Sequence, residues 1–359
     1  MRRALELLSV CAALSTGCRA ILGIQDLPAG DAGGDGGSMV NDGGTDGPAP
    51  QDGGLDVVAL CPRPDGGTVT SAELEWALWP MPNSPVDHLG GAPNLETYET
   101  DTDAGTVTDK VTGLMWQEFA TDTGVQSGAI AYCDKLELAG YQDWRLPTYL
   151  QLASIVDLGQ QNPSIDPGSF PNTAADVFWS STVSAGTMSS DGWTVSFVDG
   201  RTSRDSAIGI HHARCVRWPG VTVVNPDAGP ACTRYVVVSV ANGVVVTDQM
   251  TGLTWPAAPT RGTDNASGAA DYCKTLSYAG MSGWRLPTAS ELLTLVDVTQ
   301  ISPALDPSAF STTEDESFWS ISSVVGSPAD TWLLNLGPGI RGSAPMTMSQ
   351  AVRCVHGSP

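Results

Sequence analysis

The feature that most constrains this 359-residue chain is an internal duplication. The motif at Trp144–Thr148 recurs at Trp284–Thr288, and all matched positions lie 139 or 140 residues apart. Chance does not preserve one offset along such a stretch, so the chain carries two copies of one folding unit. The other matched pairs include Asp109 and Asp248, Trp116 and Trp255, Cys133 and Cys273, Asp166 and Asp306, Trp179 and Trp319, Trp193 and Trp332, and Cys215 and Cys354.

The first part of each copy predicts a strand followed by a helix. Residues 106–108 and 244–247 read as strands that lead into a Thr-Gly turn. Residues 130–138 and 269–276 read as short helices that end at Ala-Gly, where glycine can supply a left-handed cap.

A second helix and several strands follow. Thr148 and Thr288 each stand three residues before Gln or Glu, which fits a capping box at a helix start, and we expect the first of these helices to end near Gly159. Its apolar face would comprise Leu152, Ile155 and Val156, matched by Leu292, Leu295 and Val296. Short strands are predicted at 177–180, 193–198 and 214–218. Each copy is therefore an α+β domain with two helices and short antiparallel strands.

The eight cysteines predict disulfides and not a zinc site, because none forms a CxxC or CxxH cluster. Cys133 and Cys215 occupy the same repeat positions as Cys273 and Cys354, so we expect one bridge inside each copy. Cys61 and Cys232 each precede a copy and could pair with each other. Sequence alone leaves the connectivity open.

The N-terminus predicts export. Arg2 and Arg3 precede a short apolar run at 7–14, which is too short to span a bilayer. The following Ser15–Cys18 resembles a bacterial lipoprotein signal, so Cys18 is the predicted lipidated residue and membrane anchor, with plain secretion as the alternative. The protein is thus expected at the bacterial cell envelope or surface.

Residues 19–60 are rich in Asp and Gly and contain no aromatic side chain. Such a segment cannot bury enough apolar surface to offset its conformational entropy, which predicts a disordered, extended tether. The net charge of −22 excludes nucleic acid as a partner, because phosphate binding needs a basic surface. The predicted organisation is signal peptide 1–18, tether 19–60, first domain 61–219, linker 220–231 and second domain 232–359.

The repeated motifs resemble the Lcl C-terminal domain family, named after a collagen-like bacterial adhesin. The resemblance covers residues 107–218 and 246–355 and rests on the Thr-Gly-Leu-x-Trp, Tyr-Cys, Trp-Arg-Leu-Pro-Thr, Phe-Trp-Ser and Arg-Cys-Val motifs. It implies a C-type lectin-like fold, in which a helix-to-last-strand disulfide is expected, and a surface-binding role. The acidic charge and the lack of a collagen-like tract argue against the polyanion binding of that adhesin. Residues 17–24 look like the start of myxobacterial lipoproteins.

The sequence favours a non-catalytic protein. Formylglycine-generating enzymes share the implied fold but need a reactive cysteine pair, whereas these cysteines are assigned to bridges. The four histidines have no matched counterparts between the copies, and no P-loop, HExxH or Gly-x-Ser-x-Gly motif occurs. The matched tryptophans are predicted to be core residues and not sugar-stacking platforms. Arg145 and Arg285 are predicted to pair with Asp109 and Asp248.

Two sets of residues are candidates for ligand binding. The most basic part of the first copy is the segment 200–212, with Arg341 of the second copy taken as the counterpart of Arg201. Its candidate ligand residues are Arg201, Arg204, His211, His212 and Arg341. No cofactor is expected, although calcium is a weak possibility in the loop after the second helix. The calcium candidates are Asp157, Asp166, Asp297 and Asp306, of which Asp166 and Asp306 read equally well as turn caps.

These observations predict a cell-surface binding or adhesion lipoprotein with two lectin-like modules on a tether, whose ligand is a glycan or an envelope polymer. The alternatives are a protein–protein assembly module of the envelope and a formylglycine-generating type of enzyme.

Overall fold

The structure is a computed structural model that describes residues 81–185, 191–217, 234–249, 251–300, 302–311 and 316–357. Predictions for Cys18, Cys61, Cys232, the tether 19–60 and the linker 220–231 concern residues outside these ranges and stay predictions. The described residues belong to one compact unit, which contains both repeats.

The first repeat consists of two small sheets and two helices, preceded by the one-turn helix α1 (Pro85–Leu89). A four-stranded sheet has the order β1-β2-β3-β9, and a five-stranded sheet has the order β4-β8-β5-β6-β7. The elements are β1 (Tyr98–Asp101), β2 (Thr106–Asp109), β3 (Met115–Gln117), β4 (Thr121–Gly124), α2 (Gln126–Cys133), α3 (Tyr149–Ser154), β5 (Val177–Val183), β6 (Asp191–Ser196), β7 (Thr202–Ser206), β8 (His211–Ala213) and β9 (Val216–Arg217).

The second repeat follows the same plan. Its sheets have the orders β10-β11-β12 and β13-β17-β14-β15-β16. The elements are β10 (Tyr235–Val240), β11 (Gly243–Asp248), β12 (Thr254–Pro256), β13 (Arg261–Asp264), α4 (Ala266–Thr275), α5 (Ala289–Leu293), β14 (Ser317–Ser323), β15 (Asp330–Asn335), β16 (Ile340–Pro345) and β17 (Gln350–Val352).

The prediction of few helices and mostly antiparallel strands is confirmed for both tandem copies. One pair in each copy is parallel: Phe178 is in register with His212, and Phe318 with Ala351. The described helices have at most ten residues, and none of them is long and apolar enough to cross a bilayer.

The helix starts are set by local capping. Thr148 and Thr288 accept hydrogen bonds from the N–H groups of Gln151 and Glu291, whose side chains bond back to the caps, so both predicted capping boxes are confirmed. The second helix of the first copy ends at Ser154 and not near Gly159, although Ile155 and Val156 beyond it are buried as predicted. The first helices also begin earlier than predicted, at Gln126 and Ala266.

A disulfide closes each repeat. Cys133 bonds to Cys215 and Cys273 bonds to Cys354, with Cα atoms 5.5 Å apart in both bridges. Both predicted pairings are confirmed. Each bridge ties the first helix to the segment before the end of the repeat, so it closes a loop that spans nearly the whole copy.

The two repeats pack against each other with equivalent elements facing. Helix α3 packs on its counterpart α5, and edge strand β7 lies beside its counterpart β16. One cluster of buried side chains runs through both repeats, while two smaller clusters surround the disulfides. We call this contact the seam. It joins the copies through a shared core.

The segment 81–96, which precedes the first repeat, packs on the second. The Oδ1 atom of Asn83 accepts a hydrogen bond from the Thr288 hydroxyl at 2.7 Å, and the Asp87 carboxylate accepts one from Ser322 at 2.8 Å. Burial raises the pKa of Asp87 to about 6, although its hydrogen bonds with Ser322 and Ser84 oppose this. The segment therefore fastens the start of one repeat to the helix cap of the other.

Candidate functional site

The matched tryptophans are buried, as the sequence predicts for core residues. Trp116, Trp179, Trp255 and Trp319 are fully buried, and the other four are 2% exposed. The indole N–H groups of Trp179 and Trp319 donate to the carbonyls of Gly124 and Asp264. These bonds anchor the ends of β4 and β13. None of these rings is available for stacking on a sugar.

The candidate basic segment consists of β7, β8 and the turn between them, and we call it the 201–212 segment. Its two strands do not pair with each other, because β7 pairs with β6 at the edge of the sheet and β8 lies between β4 and β5. Arg201 is exposed and bonds to Asp199 and, across the seam, to the Ser343 hydroxyl at 2.8 Å. Arg204 lies over the Trp193 ring at 5.3 Å from its centroid and donates to Ser184. Both guanidinium groups therefore have internal partners and keep a solvent-facing side.

The two histidines of this segment are adjacent in β8 and lie on opposite faces of it. His211 bonds to Asp205 at 2.8 Å and lies edge-on against Trp179. His212 lies between Asp122, at 2.6 Å, and Asp176, at 3.4 Å, and packs on Phe178. These contacts hold both rings in the scaffold.

The turn between β7 and β8 is apolar, which sequence reasoning missed. Ile208 is 80% exposed and Ile210 is 73% exposed, although side chains of this type normally bury. The equivalent turn of the second repeat carries Met346 and Met348, which are less exposed. The signal was present in the sequence as two isoleucines in a polar segment with no matched partners.

Arg341 is buried in the seam, next to the chain neighbours of Arg201. Its backbone N–H donates to the Thr202 hydroxyl, and its guanidinium donates to the carbonyl of Gly200. Burial lowers its pKa to about 10. Strand register makes Arg341 the equivalent of Thr202, because these two residues pair with Leu334 and Val195 respectively. The predicted correspondence between Arg201 and Arg341 is therefore wrong by one position.

The predicted pairing of Arg145 with Asp109 is also wrong. Arg145 donates to Gln151 at 2.6 Å, and Arg285 makes two hydrogen bonds to Glu291 at 2.6 and 2.7 Å. Both arginines thus support the side chain that completes the capping box. Asp109 instead accepts the N–H groups of the Thr-Gly turn.

All four calcium candidates accept local backbone hydrogen bonds. Asp157 accepts from the N–H of Gly159, Asp166 from Gly168 and Asp306 from Ser308, which confirms the interpretation of Asp166 and Asp306 as turn caps. Asp297 does the same with Thr299. Across the described ranges, no three acidic, histidine or cysteine side chains are already gathered as a metal site.

The surroundings of Asp157 are unusual in their charge. Glu96 forms a hydrogen bond with Asp157, and burial, then the charge of Asp157, raises the pKa of Glu96 to about 9. Burial raises the pKa of Asp157 and of Asp109 as well. The Tyr98 ring packs edge-on against Phe170 beside these groups. Glu96 and Tyr98 precede the matched region and were not identified from sequence.

Two shallow cavities lie on the second repeat. One, of about 280 Å³, is bounded by Gly90 of the segment 81–96 and by Lys274 and Trp284. The other, of about 320 Å³, is lined by Tyr278 and Phe310 among others. Neither cavity contains a titratable pair suited to acid–base chemistry.

The fold and the bridges define a class: a duplicated, disulfide-closed module of small, mostly antiparallel sheets. The family model of the Lcl C-terminal domain matches residues 105–217 and 244–356. The chain therefore belongs to the Lcl C-terminal domain family, in two tandem copies, as the repeated motifs indicated. This family is consistent with a module of surface or secreted proteins. A search of curated proteins found no match to this sequence.

Proposed function

We propose that the protein is a non-catalytic binding protein of the bacterial envelope, anchored through Cys18, that contacts its ligand through the 201–212 segment. The observation that carries this proposal is the exposed pair Ile208 and Ile210, in the same segment as the half-buried Arg204. Exposed apolar side chains and arginine are both typical of contact surfaces.

The comparison of the two repeats supports this assignment. The copies agree in their caps, buried tryptophans and disulfides, which maintain the fold. They differ in the turn before the last strand of the larger sheet. The first copy carries Ile208 and Ile210 there, and the second carries Met346 and Met348. Residues that a duplicated fold does not need in common are free to specify different contacts.

The ligand class that we propose is a glycan or another envelope polymer, and the fold that we propose is C-type lectin-like. The large negative charge argues against a polyanionic ligand. Two modules on one anchored chain would raise the apparent affinity for a repetitive polymer, because the second contact is intramolecular.

A glycan array with the mature protein tests this proposal, and it should be run with and without calcium. We expect a signal that the double variant I208S/I210S loses while its melting temperature stays unchanged. The matched control is Met348→Ser, in the equivalent turn of the second repeat. The lectin proposal fails if no glycan binds. The assignment of the contact surface to the 201–212 segment fails if I208S/I210S binds as well as the control.

The exposed isoleucines of the turn also support a second candidate function, which is docking to another envelope protein. In that case cross-linking from the 201–212 segment would capture one protein, and I208S/I210S would abolish the cross-linked product. The glycan array would then give no signal.

A further inference from the structure

The first repeat contains four carboxyl groups around one buried phenol, and we call this the first-repeat acidic cluster. Burial, followed by the charges of the four carboxylates, raises the pKa of Tyr98 well above its ordinary value. The hydroxyl of Tyr98 and the Oδ2 atom of Asp109 are buried without a hydrogen-bond partner in the described part of the chain. Asp109 itself is 0% exposed. The members of the cluster are Glu96, Asp109, Asp157 and Asp166.

The second repeat shows how the same arrangement is neutralised. Asp248, the equivalent of Asp109, accepts hydrogen bonds from Arg234 at 3.1 and 2.8 Å. The same guanidinium donates to the carbonyl of Thr294 at 2.7 Å and lies over the Tyr235 ring. Although burial lowers the pKa of Arg234, the charge of Asp248 and its other neighbours raises it overall. In the second copy, the Arg234 guanidinium is thus a fixed cation beside Asp248.

Strand register shows that the first repeat lacks this cation. Tyr98 pairs with Asp109 as Tyr235 pairs with Asp248, so the position of Arg234 corresponds to Thr97. Thr97 is exposed and neutral. The Oδ2 atom of Asp248 meets the guanidinium, whereas the same oxygen of Asp109 has no partner. The charge of Asp109 also contributes to the raised pKa of Glu96.

We propose that the first-repeat acidic cluster binds a divalent metal cation, of which calcium is the best chemical match, in the place that the Arg234 guanidinium takes in the second repeat. Calcium takes carboxylate and backbone carbonyl oxygens together with water. The candidate ligands are the carboxylates of Glu96, Asp157 and Asp109 and the carbonyl of Ser154, which is the equivalent of Thr294. Because the side chains are not pre-assembled for a metal, calcium reorganises them.

The test is the melting temperature of the full mature protein, stripped with a chelator and titrated with calcium chloride at pH 7.5. We expect a rise of about 5 °C when calcium exceeds its Kd about 100-fold. The variants E96Q and D109N should lose this rise, whereas D306N, a control in the second repeat, should keep it. Calorimetry should show one ion bound per chain.

A graft makes the proposal falsifiable even if a cluster variant folds poorly. The Thr97→Arg variant places a guanidinium where the second repeat has one, so it should be more stable than the wild type without calcium and should not respond to calcium. The proposal is overturned if the wild type shows no calcium-dependent shift, which means that the cluster holds a proton only. It is equally overturned if E96Q, D109N and T97R all respond to calcium like the wild type.

Discussion

Gly339 allows the packing of the seam to be measured. It lies in the turn before β16 with φ of +73°, and an added Cβ would come within 2.9 Å of Val296 and 3.3 Å of Trp193, which belongs to the other repeat. For Gly339→Ala, the left-handed backbone costs about 1 kcal/mol. Overpacking adds about 1–3 kcal/mol. We therefore expect the free energy of unfolding to fall by about 2–4 kcal/mol.

The matched control is Gly252→Ala. Gly252 has nearly the same φ, +72°, but an added Cβ there meets nothing within 4 Å. This variant should lose only the backbone contribution, about 1 kcal/mol. Urea unfolding followed by tryptophan fluorescence measures both variants, and an unchanged m-value would show that the same surface is exposed in each. The difference between them isolates the steric contribution at Gly339, whose close neighbours are Val296 and Ala304 of its own repeat and Trp193 across the seam.

Two results would refute this reasoning. If Gly339→Ala is no more destabilising than Gly252→Ala, the turn yields without cost and the seam is not closely packed there. If Val296→Ala and Gly339→Ala have additive effects, the predicted contact between these residues is absent, because a relieved clash requires non-additivity of about 1 kcal/mol.

Three further predictions concern the bridges, the cluster and the caps. Replacing Cys133 and Cys215 by serine should lower the free energy of unfolding by up to about 4.5 kcal/mol, measured by urea denaturation, because the bridge closes a loop across a separation of 82 residues. Between the ordinary pKa of 4.5 and about 9, Glu96 holds a proton in the folded protein that it has lost in the unfolded chain. Without calcium, the free energy of unfolding should therefore fall as pH rises through this window, by up to ~1.4 kcal/mol per pH unit. Glu96→Gln should flatten this pH dependence. Thr288→Ala should cost about 1 kcal/mol more than Thr148→Ala in the same assay, because only Thr288 also bonds to Asn83.

Features that depend on neighbours in sequence could be predicted without the structure. The capping boxes at Thr148 and Thr288 need only a residue three positions away, and the repeat itself indicated which cysteines pair. The burial of the tryptophans followed from their equal presence in both copies. These predictions hold because each rests on local geometry or on a comparison within the chain.

Features that depend on three-dimensional packing were missed. The sequence predicts Asp109 as the partner of Arg145, yet the partner is Gln151, only six residues away, and Asp109 accepts the N–H groups of its own turn. Arg234 lies outside the matched motifs, so its bond to Asp248 could not be inferred from the repeat. The packing of the segment 81–96 on the second repeat leaves no periodic signal at all, and the exposure of Ile208 runs against its hydrophobicity.

The seam has a consequence for how the two copies can diverge. Where two identical chains meet about a two-fold axis, each substitution appears on both sides and must fit its own image. In a single chain that restriction disappears. Tyr149 reaches across to the carbonyl of Gly339, while its counterpart is Ala289, and Thr202 receives the N–H of Arg341, its own counterpart. A large residue thus stands where the other copy has a small one, and a donor meets an acceptor at equivalent positions. The seam is therefore asymmetric, and the first copy cannot be exchanged for the second.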